Sequence, residues 1–196
     1  MKELLLKLKA CGLAIDWAGD KTIEEIWATC HRGDWMLWLA RKLNINKRVL
    51  TLAKGHCANT ARHLMKDERS RTAVDVALRF GKGEATREEL NDAAAAAYDA
   101  ADAAYADDAD ADAYAADAAA DAADAYDAAA AAAYFAAAAT AAAYVAATAA
   151  AYAADAVAYD AAADADARKK SQQATADICR KYIPMECILA AIKSQK

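Results

Sequence analysis

Four tryptophans, Trp17, Trp27, Trp35 and Trp38, fall in one 22-residue window. Trp35 and Trp38 are three apart, so on a helix they share a face. Such a cluster builds either an aromatic core or a pocket for a flat ligand such as a nucleobase. Arg32, Arg41 and Lys42 stand close by and would meet an anionic group on that ligand. Two mixed pairs, Cys30-His31 and His56-Cys57, contain the donor set of a zinc site. Adjacent residues on a helix point about 100° apart, so neither pair chelates easily. Buried thiols and hydrogen-bonded histidines are the plainer reading, and no metal or other cofactor is expected. His56 and His63, seven apart, could share a helix face. No Gly-rich phosphate loop, HExxH or nucleophile motif occurs, which argues against an enzyme. Carboxylates are plentiful, for example Asp117, Asp121 and Asp124. Among fifteen look-alikes none is singled out for acid–base work, so these three read as part of an acidic face that could meet a basic partner.

Charge is segregated along the 196 residues. Residues 1–90 carry 17 Lys and Arg against 12 Asp and Glu, residues 91–167 carry 15 Asp and no basic residue, and residues 168–196 carry 7 basic against 2 acidic. The acidic middle argues against nucleic acid, which needs clustered Lys and Arg. Five cysteines without a CxxC do not suggest a disulfide framework. The start, MKELLLKLKACGLAIDW, places Lys7 and Lys9 inside the apolar stretch. It reads as an amphipathic helix rather than a signal peptide, and a cytoplasmic location is expected.

The elements that must position these groups read as helices throughout. Thr22 with Glu25 forms a capping box ahead of IEEIWATC, and Thr86 with Glu89 forms a second one. Asn46 and Asp67 are further N-caps, and Gly33-Asp34 caps WMLWLARKL. Gly81-Lys82-Gly83 marks a boundary. Residues 91–167 then contain 48 Ala, 15 Asp and 8 Tyr. Ala is the best helix former. On a wheel of about 100° per residue most Tyr fall on one face and most Asp on the opposite one. Asp108, Asp112 and Tyr114 break the pattern, which predicts a turn near 107–113. The tract is long enough to span a membrane, but Ala favours insertion little and the Asp wheel continues on both sides. Close helix packing, with the Tyr stripe supplying bulk, is the preferred reading. Arg168-Lys169-Lys170 suits a helix C-terminus, SQQATADICRKYI reads as a further helix, and Pro184 starts the last. The expected organisation is a Trp-containing region over 1–83, long Ala-rich helices over 84–167 and a helical cap over 168–196, forming one all-α, bundle-like domain.

The segments CHRGDWMLWLARKL (30–43), CANTARHL (57–64), ALRFGKGEATREEL (77–90) and ADICRKYIP (176–184), with the Ala-rich tract between the last two, are similar to the Imm-5-like immunity proteins. These are alanine-rich helical proteins of bacteria and phages. Cys30, Gly33, Asp34, Trp35, Leu37 and Trp38 carry the signature. The resemblance implies a non-enzymatic interaction protein that neutralises a toxin. The acidic face would occlude a basic target, with electrostatically steered association. The alternative is sequestration of a small molecule, such as a nucleotide signal, at the Trp cluster. A second alternative is a structural, oligomerising protein. A homodimer is expected, and neither nucleic acid nor membrane is an expected partner.

Overall fold

The computed structural model describes residues 2–65, 67–106 and 161–194; for 64, 101–106 and 161–168 it describes the backbone alone. The turn near 107–113, the acidic trio Asp117, Asp121 and Asp124, and most of the Tyr stripe lie outside the described residues. The described elements are all helical. α1 (Lys2–Lys7), α2 (Gly12–Ala18), α3 (Ile23–Thr29), α4 (Gly33–Lys42) and α5 (Lys47–Asn59) lead through a 3₁₀ turn (Arg62–Leu64) to α6 (Glu68–Lys82) and α7 (Arg87–Ala106). α8 (Ala161–Tyr182) and α9 (Met185–Lys193) complete the set.

Four of the described helices, α3, α5, α6 and α7, begin where side chains satisfy the orphan N–H groups of a first turn. Glu25 N–H donates to Thr22 Oγ1 at 3.2 Å and Thr22 N–H to Glu25 Oε2 at 2.7 Å, a complete capping box. The Thr86/Glu89 box has the same geometry, at 3.1 and 2.7 Å. Asn46 and Asp67 accept from the backbone N–H two residues on. Three helices end in the same left-handed turn. Ala10 N–H donates to Leu5 O, Ile45 N–H to Ala40 O and Glu84 N–H to Arg79 O, with Lys9, Asn44 and Gly83 at positive φ. The first of these turns divides the single amphipathic helix expected at the start into α1 and α2.

α6 packs on α5 and on α7, while α8 packs on α4 and α5. The α5–α6 crossing is close because Gly81 has no Cβ: one placed there would lie 2.5 Å from Leu52 Cβ and 2.8 Å from its Cα. Against α6, α7 buries Leu90 with Ala93, Ala94, Ala97 and Ala100, a helical stripe of mostly small residues. Tyr98 is 38 % exposed, so at the described end of the Ala-rich tract alanine, not tyrosine, faces the core. α8 runs unbroken through Arg168–Lys170. Lys and Arg are good helix formers, and the favourable charge–dipole effect at a helix end is too small to impose a stop. Its buried residues Ala176 and Cys179, with Ile183 just past its end, join a core that extends from Leu5 to Ile188. Among the described residues no helix is long and apolar enough to cross a membrane.

Candidate functional site: a tryptophan-lined cavity

Asp34 does not cap α4. The N-cap is Arg32, which makes no side-chain cap bond, and Asp34 sits in the first turn. Its carboxylate accepts from Arg32 Nε at 2.8 Å and from Nη2 at 2.5 Å, a fork that matches two parallel N–H bonds to two oxygens. This bond is the main reason the Arg32 guanidinium is held above its usual value. The two side chains are 28 % and 10 % exposed, so the pair is shielded more than a surface ion pair. The guanidinium lies 4.7 Å from the centre of the Trp35 ring, a cation–π contact.

Trp35 is one wall of a cavity of about 430 Å³ that all four tryptophans line. α1, α2 and the turn between them close one side with Leu5, Lys9, Cys11 and Trp17; α3, α4 and their connection form the other with Trp27, Cys30, Trp35 and Trp38. The volume falls in the range of about 300–1,000 Å³ typical of small-molecule sites. Trp17 and Trp35 meet with centroids 6.0 Å apart and planes tilted by 59°. His31 stands edge-on to Trp17 at 6.1 Å. Trp27 is 4 % exposed and belongs to the core, and its indole N–H has no acceptor among the described residues. Trp17, Trp35 and Trp38 are only partly buried. The cluster is therefore both core and pocket: one ring anchors it and three reach the surface.

Cations stand on those three rings. Lys21 Nζ is 4.6 Å from the Trp17 centroid and donates to the Trp17 carbonyl. Lys42 Nζ is 5.9 Å from the Trp38 centroid. With Arg32 on Trp35, each ring that reaches the surface carries one positive charge. Arg41 is not among the residues lining the cavity.

Two other elements hold this wall. Arg180 of α8 donates through Nη1 to the carbonyls of Trp27 (3.2 Å) and Cys30 (2.8 Å), and through Nη2 to Asp177 (2.6 Å). It thereby satisfies carbonyls at the end of α3 that the helix cannot pair itself. Gly33, at the start of α4, lets Thr175 of α8 approach: an added Cβ would lie 2.4 Å from Thr175 Oγ1. The family-like signature thus divides. Cys30, Asp34, Trp35 and Trp38 line the cavity, whereas Gly33 serves the helix crossing behind it. The sequence alone assigns none of Lys9, Cys11 and Arg180 to a site. The break between KLKA and GLAIDW is the one local signal that could have pointed to the first two.

The cysteines and histidines do not form a shared site. Burial pushes the Cys30 thiol up, and its S–H donates to Arg32 O at 3.4 Å. Cys57 and Cys179 donate to the carbonyls of Thr175 and Gly33 at 3.9 and 3.6 Å. Contact with Cys57, then burial, holds the Cys179 thiol well above its usual value. His56 stacks on Tyr182 with centroids 3.9 Å apart, whereas His63 lies exposed in the 3₁₀ turn, so the two do not share a helix face. Among the described residues no three His, Cys, Asp or Glu converge as metal ligands.

Comparison of the chain with protein-family models, with curated proteins and with solved structures yields no match.

Proposed function

We propose that this chain is a non-enzymatic binding protein that captures a small planar molecule in the tryptophan cavity. One observation carries the reading: a cavity of about 430 Å³ walled by four tryptophans, three of which reach the surface. Aromatic walls suit a flat ring, since stacking on an aromatic side chain contributes about 1–3 kcal/mol per base and tolerates many ring types. The polar groups at the wall favour holding over chemistry. Asp34 is engaged by Arg32, and burial keeps the Cys30 thiol a poor nucleophile. Sequestration of a signal molecule is the biological role this suits.

The experiment is native mass spectrometry of the chain purified from its host, beside Trp35→Ala. A small bound mass on the wild type that is lost from the variant supports the reading. A bare wild-type chain that co-purifies with a basic protein supports a second reading, in which Asp117, Asp121 and Asp124 occlude a toxin. The 15 Asp of residues 91–167, unrelieved by any basic residue, favour that one.

A further inference from the structure

We infer that the molecule this cavity takes is a planar aromatic ring carrying an anionic group, a phosphate or a carboxylate, with the ring on the tryptophans and the anion at Arg32 and Lys9. The inference rests on the binding reading and adds the charge of the ligand to it.

The rings set the shape. A ligand ring sandwiched between two others needs them about 7 Å apart and parallel, twice the carbon–carbon contact distance. Trp17 and Trp35 are closer than that and tilted. They form a corner, so a flat ligand lies against one ring and meets the other edge-on, a favoured geometry for aromatic pairs.

The charges set the sign. The charged groups lining the cavity are Lys9, Arg32 and Asp34, two positive and one negative. Asp34 takes one N–H from Nε and one from Nη2 of Arg32. A guanidinium has five N–H donors; among the described residues Arg32 donates only to Asp34, so three donors remain for an incoming anion. A cationic ligand would seek the faces of the tryptophans, but Arg32 already stands on Trp35 at the cavity wall, and Lys21 and Lys42, outside the lining, stand on Trp17 and Trp38. It would meet like charge at each ring, which disfavours it.

Lys9 adds an independent sign. It occupies the left-handed C′ position of α1 at φ 60, where glycine or asparagine is the usual choice; the equivalent positions after α4 and α6 are Asn44 and Gly83. A lysine there is strained, yet it lines the cavity. The inference gives that lysine a role, which is to bring its ammonium to the anion.

The test is isothermal titration of the full chain with two matched pairs: adenosine monophosphate with adenosine, and indole-3-acetate with indole-3-acetamide. Each pair changes charge while keeping the ring. At least one anion is expected to bind about tenfold or more tighter than its neutral partner, the scale of one hydrogen bond to a charged group. Whichever pair shows the preference identifies phosphate or carboxylate. Lys9→Asn keeps a residue suited to positive φ and removes the charge, and it should reduce the preference. Asp34→Asn removes the competing carboxylate, and it should increase the preference. Opposite responses to two neutralising changes are not what general damage to the cavity produces. Equal binding within both pairs, unchanged by either variant, overturns the inference and leaves the planar-ligand reading standing. If none of the four compounds binds, the planar-ligand reading fails and takes the inference with it.

Discussion

Gly33→Ala should destabilise the protein although alanine is the better helix former. The residue opens α4, and within a helix the exchange by itself stabilises by about 0.5–1 kcal/mol. Against that, the new methyl carbon would lie 2.4 Å from Thr175 Oγ1, 2.6 Å from Thr175 Cβ and 2.6 Å from its carbonyl carbon. A rotamer change moves the hydroxyl but not the other two atoms, so α8 must move away from α4. Overpacking of this kind costs about 1–3 kcal/mol, and the backbone clash places it at the upper end. The net expectation is a loss of about 2–2.5 kcal/mol, that upper end less the helix gain. Gly12→Ala is the control. Gly12 opens α2, and nothing lies within 4 Å of a Cβ added there, so the same substitution should stabilise by about 0.5–1 kcal/mol. Urea unfolding at constant slope reads both as shifts of the midpoint in opposite directions. Thr175→Ala should not rescue Gly33→Ala, because Cβ and the carbonyl carbon remain in place. If Gly33→Ala is as stable as Gly12→Ala, the α4–α8 crossing is not as close as described, and the wall behind the cavity is not held by it.

Trp27→Phe removes a buried indole N–H that has no described acceptor, a relief of about 1–3 kcal/mol set against lost ring volume, so its net effect on urea unfolding should be small. Trp27→Ala should cost about 3–5 kcal/mol, and a Phe variant equally unstable would show that the N–H is satisfied. Burial, then the charges of Lys181 and Lys82, lower the His56 pKa. The unfolded chain therefore binds the proton more readily. Stability should be full above the usual value of about 6.5 and decline as pH falls through it toward the folded pKa. His56→Phe, which can keep the stack on Tyr182, should flatten this decline in thermal melts between pH 5 and 8, and an unchanged slope would assign it to other groups. Brief alkylation with iodoacetamide, mapped by mass spectrometry, should label exposed Cys11 first and leave Cys30, Cys57 and Cys179 for the denatured chain. Prompt labelling of Cys179 would contradict its burial.

The helical class and most helix starts were legible in the sequence because caps are local. Thr22 with Glu25, Thr86 with Glu89, Asn46, Asp67 and Pro184 each need only a few neighbouring residues to act, and each stands at a helix start. What escaped depends on distance along the chain. Arg180 meets Trp27 and Cys30 from 153 and 150 residues away, and Thr175 meets Gly33 from a separate helix; no local pattern encodes either. Asp34 escaped for a different reason. A carboxylate near a helix start can serve a backbone N–H or an adjacent guanidinium, and Arg32 won by offering two parallel donors. The tryptophan window was legible as a cluster. Its division into one core ring and three partly exposed rings required knowing that α1 and α2 fold back over α3 and α4. Lys9 reads in the sequence only as a charge interrupting an apolar stretch, because nothing local places it at a turn beside the tryptophans.

The central claim is that the tryptophan cavity holds a small planar molecule. The most direct measurement is the ¹⁵N–¹H correlation spectrum of the four indole N–H groups while the small-molecule fraction of a host extract is titrated in. The account predicts that the indole signals of Trp17, Trp35 and Trp38 move together and saturably, with the Leu5, Lys9 and Cys11 amides, while those of α6 and α7 stay in place. Indole signals that stay fixed while amides elsewhere in the chain respond would contradict it.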